Sequence, residues 1–370
     1  MIIRPYYMER LRTYRDMPLV KILAGIRRCG KSTILEMLRD DLLSCGIHTD
    51  HIIRIRYTSE DLDDGMTDKD MYNTIKEKMT GSGRYYLLLD EVQEIDGWEK
   101  AVNSLLENAD TDIYVTGSNS KLMSGEISTY LTGRYVSIPV YTLSFAEYLE
   151  FKKERNFSTR ELLNEYIRMG GFPIVAFGQF DQRSAYQIVE GIYHSAITND
   201  ITRRHNIANF ALFNRVVKYV VENVGKTFST NAIVKFLKSE GRSLSVEAVY
   251  NYLEWLEKAF VIYRCPRYDL QGKSVLKTQK NSILQIPLSN TAFWVSIRNP
   301  LPPCLRTLCT LNCDEGSMRF ILEKMRPGRS TLWQYGETKE STFRYAGFYR
   351  RNPTGRLQTF SKFGIIIQSM

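Results

Sequence analysis

Five short apolar runs recur through the first 140 positions, at residues 19–24, 52–57, 85–89, 113–115 and 135–140. Each is short and largely apolar, the pattern of a strand buried in a parallel sheet. Helical patterns lie between them. Residues 32–43 put Ile34, Leu35, Leu38 and Leu42 on one face, and residues 97–106 form a second such segment. Strand alternating with helix predicts a doubly wound α/β domain over residues 1–145.

From residue 146 to residue 280 the period becomes helical, which predicts a separate all-helical region. Near its end, Thr230 is placed to cap a helix with Ile233, Phe236 and Leu237 on its apolar face, and Gly241 to end it. Ser245 is placed to cap a second helix carrying Val249, Leu253, Leu256 and Phe260. A strand-like stretch at 261–264, a polar turn at Gln271 and Gly272, and a second run at 275–276 follow. That order predicts a helix-turn-helix with a β wing, lined by Arg264, Arg267, Lys273, Lys277 and Lys280. DNA is therefore a candidate partner. Against it, the second helix offers Glu247, Glu254 and Glu257 with only Lys258 to offset them, a face that repels phosphate.

No apolar run approaches the roughly 20 residues that span a bilayer, so no membrane association is expected. The opening Met1-Ile2-Ile3-Arg4-Pro5 lacks the apolar core of a signal peptide. With Cys29 inside a phosphate-loop pattern, a reduced thiol and a cytoplasmic protein are expected. Cys304, Cys309 and Cys313 lie close together, but without histidine and without zinc spacing they are expected to bind nothing.

Charge changes the picture less than it promises. The 370 residues carry a net +9, which invites a nucleic-acid reading. Residues 281–370 hold 12 Lys+Arg against 5 Asp+Glu, so they account for +7, and the first 280 residues for only +2. The same tail holds six of the eleven prolines and shows little periodicity. The basic excess belongs to one unusual segment.

The chemistry lies in the first domain. Residues 25–32, Gly-Ile-Arg-Arg-Cys-Gly-Lys-Ser, match G-x-x-x-x-G-K-[ST] between a strand and a helix, the context a phosphate loop requires. Gly25 and Gly30 let the backbone wrap phosphate, and the loop amides at Cys29 and around it face the anion. Lys31 is placed to neutralise the β and γ phosphates of a nucleotide, Ser32 to ligate Mg²⁺, and Thr33 to complete the phosphate-binding set. The strand at 85–89 runs into Asp90 and Glu91. Asp90 is the candidate second Mg²⁺ ligand and Glu91 the candidate general base for water. A carboxylate there favours hydrolysis over phosphoryl transfer to a substrate, which must exclude water. Ser118 and Asn119, after another strand, are candidates for sensing the γ-phosphate or for capping a helix. Arg134, after Gly133, is either an arginine aimed at transition-state charge or a surface residue on a turn.

Taken in order, residues 25–32, 87–95, 116–120, 131–134, the Leu143-Ser144-Phe145-x-Glu147 motif and Gly170-Gly171-Phe172-Pro173 resemble the prokaryotic AAA-type ATP-binding proteins. In these an ATPase domain precedes a winged helix and a C-terminal nuclease-like domain of unknown function. The resemblance covers about residues 1–280. It implies binding and hydrolysis of ATP with Mg²⁺, supports a catalytic Arg134 acting within one chain or across a homo-oligomer, and leaves the biological task undefined.

The resemblance stops after Lys280. The family continues with a strand such as FYLAD and later an acidic EIDF motif; this chain continues Asn281-Ser282-Ile283-Leu284-Gln285. Back-translated and read from the third base of each codon, the tail admits FYLAD, EIDF and further helix and strand patterns of the family type. Lys280-Asn281 is encodable as AAA AAT, which a run of six adenines shortened to five would create. Residues 281–370 are therefore expected to be a poorly structured frameshift product of the nuclease-like domain. The other readings open from sequence are a nucleotide-dependent switch with negligible hydrolysis and a DNA-binding regulator.

Overall fold

The computed structural model describes residues 2–57, 66–118, 122, 130–131, 133–154, 157–205, 207–223, 227–266 and 282–285 and, beyond these, strands at 307–314, 317–324, 333–336, 344–351 and 357–365. The chain divides into two compact units, residues 1–297 and 298–370.

The first unit opens with helix α1 (Pro5–Thr13), which has proline in its first turn, where the missing amide is harmless, and buries Tyr7, Met8 and Leu11. Strand and helix then alternate: β1 (Val20–Ala24), α2 (Lys31–Ser44), β2 (Ile52–Arg56), α3 (Asp68–Lys78), β3 (Tyr85–Asp90), α4 (Trp98–Asn108), β4 (Thr111–Gly117) and β5 (Tyr135–Pro139). The five strands form one parallel sheet in the order β2-β3-β4-β1-β5. All five expected strands are present. Every residue of β1, β3 and β4 is buried. The edge strands β2 and β5 are only half-buried, so burial on both faces holds for the three central strands alone.

The strand order positions the site. Parallel strands end on the same edge of the sheet, and β4 is inserted between β1 and β3. The loop after β1, the polar residues ending β4 and the carboxylates ending β3 therefore stand side by side.

The helical region follows as α5 (Phe145–Phe151), α6 (Thr159–Met169), α7 (Pro173–Phe177), α8 (Gln182–Ser195), a π-helical turn (Ala196–Thr202) and α9 (Phe210–Glu222). After it come β6 (Thr227–Phe228), α10 (Thr230–Ser239), α11 (Val246–Lys258), β7 (Tyr263–Pro266) and β8 (Ser282–Gln285). The three strands make an antiparallel sheet in the order β6-β8-β7. Ser229, not Thr230, caps α10, its hydroxyl accepting from the Ala232 amide at 3.2 Å. A cap must stand just outside the helix to reach that amide, and Thr230 is already the first helical residue. Ser245 caps α11 as expected, 3.0 Å from the Ala248 amide. Gly241, at φ +72°, follows the end of α10.

Among the described residues, β7 pairs with β8. The run at 275–276 expected to follow it lies outside them, as do Gln271, Gly272, Arg267, Lys273, Lys277 and Lys280. β8 falls within the segment expected to be aberrant, so backbone pairing continues a few residues past Lys280.

In the second unit β9 (Thr307–Asp314) pairs with β10 (Ser317–Lys324). Separately, β11 (Trp333–Gly336), β12 (Arg344–Arg351) and β13 (Leu357–Ile365) form an antiparallel sheet with an irregularity between Phe348 and Tyr349. Each described pairing here joins strands adjacent in sequence. Cys304 is outside the described residues.

Candidate active site

The phosphate loop turns from β1 into α2 with both glycines required. A Cβ on Gly25 would come within 2.0 Å of the Val140 carbonyl oxygen, so no side chain fits where the loop leaves the sheet. Gly30 stands at φ +101°, a conformation that favours glycine, and its carbonyl accepts the first helical bond from Ile34 at 3.0 Å. Arg28 also adopts positive φ, at +63°. The Cys29 amide, expected to face an anion, donates instead to the Ile26 carbonyl at 3.3 Å, and the loop ends at the start of α2, where the helix dipole adds positive potential.

Lys31 is buried at the centre of the loop. Its Nζ donates to the carbonyls of Gly25 at 3.0 Å and Ile26 at 3.2 Å and lies 3.8 Å from Glu91 Oε1. Ser32 and Thr33 follow in the first turn of α2. Cys29 is fully buried, and burial pushes its thiol up more than Lys31 and Arg4 draw it down. Cys29 therefore serves the loop through its backbone.

The carboxylates arrive from β3. Asp90 is wholly buried. Its Oδ1 accepts from the Thr116 hydroxyl of β4, while Oδ2 has no hydrogen-bond partner, with Arg56 Nε standing at 3.8 Å. A buried carboxylate oxygen left unpaired at a strand end, next to a phosphate loop, suits a hard cation such as Mg²⁺. Glu91 sits at φ +58°, an unfavourable backbone for a non-glycine residue. Three contacts hold it there. Its amide donates to Thr116 Oγ1 at 3.0 Å, Oε2 accepts from Gln93 Nε2 at 2.6 Å, and Oε1 faces Lys31.

Ser118, fully buried, donates its hydroxyl to Asp200 Oδ1 at 3.0 Å. Asn119 lies outside the described residues. Asp200, in the π-helical turn, also accepts two bonds from Arg27 of the phosphate loop, at 2.8 and 2.9 Å. Burial opposes the Arg27 charge, but Asp200, with Glu91 and Glu94 behind it, holds the guanidinium above its ordinary value.

Arg134 is not brought to this cluster. It bonds Asn103 and Glu107 of α4, and its carbonyl accepts from Val20 at the start of β1. The phosphate loop leaves the other end of that five-residue strand, about 15 Å away at the usual rise per residue.

One support was not read from the sequence. Arg4, almost fully buried, donates to the Cys29 carbonyl at 3.1 Å, to the Tyr141 carbonyl at 3.1 Å and to both Glu147 oxygens at 2.7 and 3.1 Å. Glu147 is itself fixed by a reciprocal cap with Ser144. The spacing Ser144-x-x-Glu147 is a legible capping box; nothing local marks its partner as Arg4. Gly171 donates no side chain because a Cβ there would meet the Leu143 carbonyl at 2.4 Å, and Pro173 packs 3.7 Å from where a Cβ on Gly30 would stand. The motifs around Glu147 and Gly171 thus close on the outer side of the phosphate loop.

Sheet, loop and carboxylates together define an AAA-type protein with a Walker phosphate loop. The family model of the AAA domain matches residues 18–149, and that of a domain of unknown function, DUF8612, matches residues 160–293. An uncharacterized protein of Haemophilus influenzae is 37% identical over 281 residues, covering 75% of this chain and 70% of its own length. The chain belongs to the family of AAA-domain proteins that includes this relative. An uncharacterized protein of Methanocaldococcus jannaschii is 28% identical over 270 residues, 69% of this chain and 58% of its own. Among solved structures, a Walker-type ATPase of Pyrococcus abyssi shares the fold with a TM-score of 0.57 at 15% identity, over 79% of this chain and 95% of that one. Among the described residues, no helix is long and apolar enough to cross a membrane.

Proposed function

We propose that the chain binds ATP with Mg²⁺ in the loop at residues 25–32 and hydrolyses it. The observation that carries this reading is the meeting, at one sheet edge, of buried Lys31, the unpaired Oδ2 of buried Asp90, and Glu91. Lys31 moves from its own loop carbonyls onto the phosphates. Ser32 and Asp90 hold Mg²⁺, which offsets phosphate charge when bound. Glu91 accepts a proton from the attacking water. Gln93 and Thr116 fix the Glu91 carboxylate and amide, so the base is oriented before substrate arrives. Single-turnover hydrolysis by wild type and Glu91→Gln tests this: a large rate loss is expected, and equal rates defeat the general-base assignment.

Ser118 is read as sensing the γ-phosphate indirectly, through Asp200. Arg134 is read as acting across subunits, since its own phosphate loop is at the far end of β1. The last helices and β6-β8-β7 are read as a winged helix: three helices followed by a hairpin whose second strand lies centrally. Exposed Glu247 and a Glu254–Lys258 pair on α11 favour a protein partner over duplex DNA. Salt-dependent duplex binding by the full chain is the opposing result. From residue 281 we read the chain as frameshifted. The adjacent-strand pairings beyond residue 306 suit this, because backbone pairing between sequence neighbours demands little of side chains. The coding DNA is the test: stops or an unrelated peptide in the shifted frame overturn it.

A further inference from the structure

In the machinery above Asp200 serves only as the link from Ser118, and its ion pair with Arg27 is unused. It joins the phosphate loop to the helical region, and three elements meet on one carboxylate: the loop through Arg27, the end of β4 through Ser118, and the π-helical turn that carries Asp200 itself. The Asp200 side chain is 1% exposed. Removing a carboxylate from water costs several kcal/mol and is tolerated only with close partners. Here the partner is a bidentate arginine, the stiffest such pairing a protein has. The π-turn, an irregularity often found at working sites, aims the carboxylate at the sheet edge.

The geometry of the guanidinium indicates what the pairing does. Asp200 takes Nε and Nη2, one edge of the fork. Nη1 carries no hydrogen bond among the described residues. The loop that carries Arg27 is the one that wraps the terminal phosphates, and Arg27 lies close enough to feel the charge of Glu91, the base that faces the γ-phosphate.

We propose that Asp200 is a positioning residue: by gripping one edge of Arg27 it turns the remaining nitrogen toward the γ-phosphate of bound ATP, so that recognition of the triphosphate depends on the seating of the helical region. This rests on the ATP-binding reading above and concerns recognition, not the hydrolytic step. Ser118 completes the arrangement by donating to Oδ1 of Asp200, the oxygen that also accepts from Arg27 Nη2. ADP, lacking the γ-phosphate, leaves Nη1 unused.

The test uses the full chain, Mg²⁺, and fluorescent ADP and fluorescent AMPPNP, a triphosphate that is not hydrolysed. Wild type is expected to hold the triphosphate more tightly. Asp200→Asn and Arg27→Ala are each expected to cut that preference about tenfold, the scale of one charged hydrogen bond, while ADP affinity changes less than about threefold. Arg27→Lys keeps the charge but cannot be gripped by one edge, so it loses the preference too. The double variant should be no worse than Arg27→Ala alone. A merely structural contact would weaken ADP and AMPPNP alike. The proposal is overturned if Arg27→Ala keeps the preference or if the two losses add. Asp200 is buried, so thermal melts accompany each variant; if Asp200→Asn unfolds, the half-buried Arg27 variants decide. Should wild type and Glu91→Gln hydrolyse ATP equally, the hydrolysis reading fails, yet a tenfold loss of triphosphate preference still upholds Asp200.

Discussion

Arg4 offers the sharpest test of how the phosphate loop is supported. Arg4→Met removes a side chain that is 4% exposed from Glu147, which is 20% exposed. It also strips the Cys29 and Tyr141 carbonyls of a charged donor. Breaking a buried pair by removing one partner costs about 3–5 kcal/mol. Glu147 keeps some access to water and its own cap with Ser144, so the lower end applies, about 3 kcal/mol. In a unit of this size that lowers the melting midpoint by about 5–10 °C. Stability alone does not prove a role at the site. The decisive variant is Arg4→Met with Glu147→Leu, which removes both charges and restores much of the lost stability. It still leaves Cys29 O without its donor, so the loop stays slack. Calorimetric titration with Mg²⁺ and ADP should then show affinity down about tenfold, the worth of one charged hydrogen bond, although the melt has recovered. If the double variant binds ADP as wild type does, the bracket from Arg4 to the loop has no bearing on nucleotide.

Gly25→Ala should abolish nucleotide binding and destabilise the domain, because the new Cβ meets the Val140 backbone oxygen at 2.0 Å; normal ADP titration by this variant would contradict the geometry. Mixing Lys31→Ala with Arg134→Ala, each inactive alone, should restore ATPase activity if Arg134 serves a neighbouring loop; no restoration at any protein concentration rejects that placement. Alkali should destabilise the fold. Burial raises the phenols of Tyr7, Tyr57, Tyr114, Tyr166 and Tyr193 and pushes Tyr86 up to about 12, so above pH 10 the unfolded chain ionises these phenols and the folded chain does not. The unfolded state is then favoured as pH rises through 10, its ordinary value, and melting midpoints should fall between pH 9.5 and 11. A flat profile over that range refutes the burial of these rings.

What could be read from the sequence, and what could not, divides by the reach of each interaction. The strand at 85–89 announces itself because burial on both faces calls for an unbroken apolar run, and that at 19–24 does so with one buried charge, Lys21, within it. Lys31, Ser32, Asp90 and Glu91 stand at the spacing from a strand end that binding of phosphate and a cation would require. Gly241 and the Ser245 cap are local by nature. Arg4 and Asp200 carry no such mark. Arg4 finds Glu147 across 143 positions, and Arg27 finds Asp200 across 173. Their roles exist only once the sheet order is set. Arg134 illustrates the opposite case, a residue with a plausible neighbourhood in sequence whose strand register then carries it to the far end of β1.

The same reasoning bears on the charge of the whole chain. A net +9 suggests nucleic acid only if the charge lies on a surface the fold presents, and +7 of it falls in residues 281–370. Within the AAA domain, basic side chains turn inward to work. Lys31 faces the loop carbonyls and Glu91, Arg4 faces Glu147, Arg27 faces Asp200, and Lys21 is buried against Asp112. Each of these four is matched by an acid, and the first 280 residues as a whole reach a net of only +2. At the centre Asp90 Oδ2 accepts no hydrogen bond and has Arg56 Nε at 3.8 Å as its counter-charge. That free acceptor is the ground for placing Mg²⁺ in the proposed site, and the balance of charge gives no separate argument for a duplex.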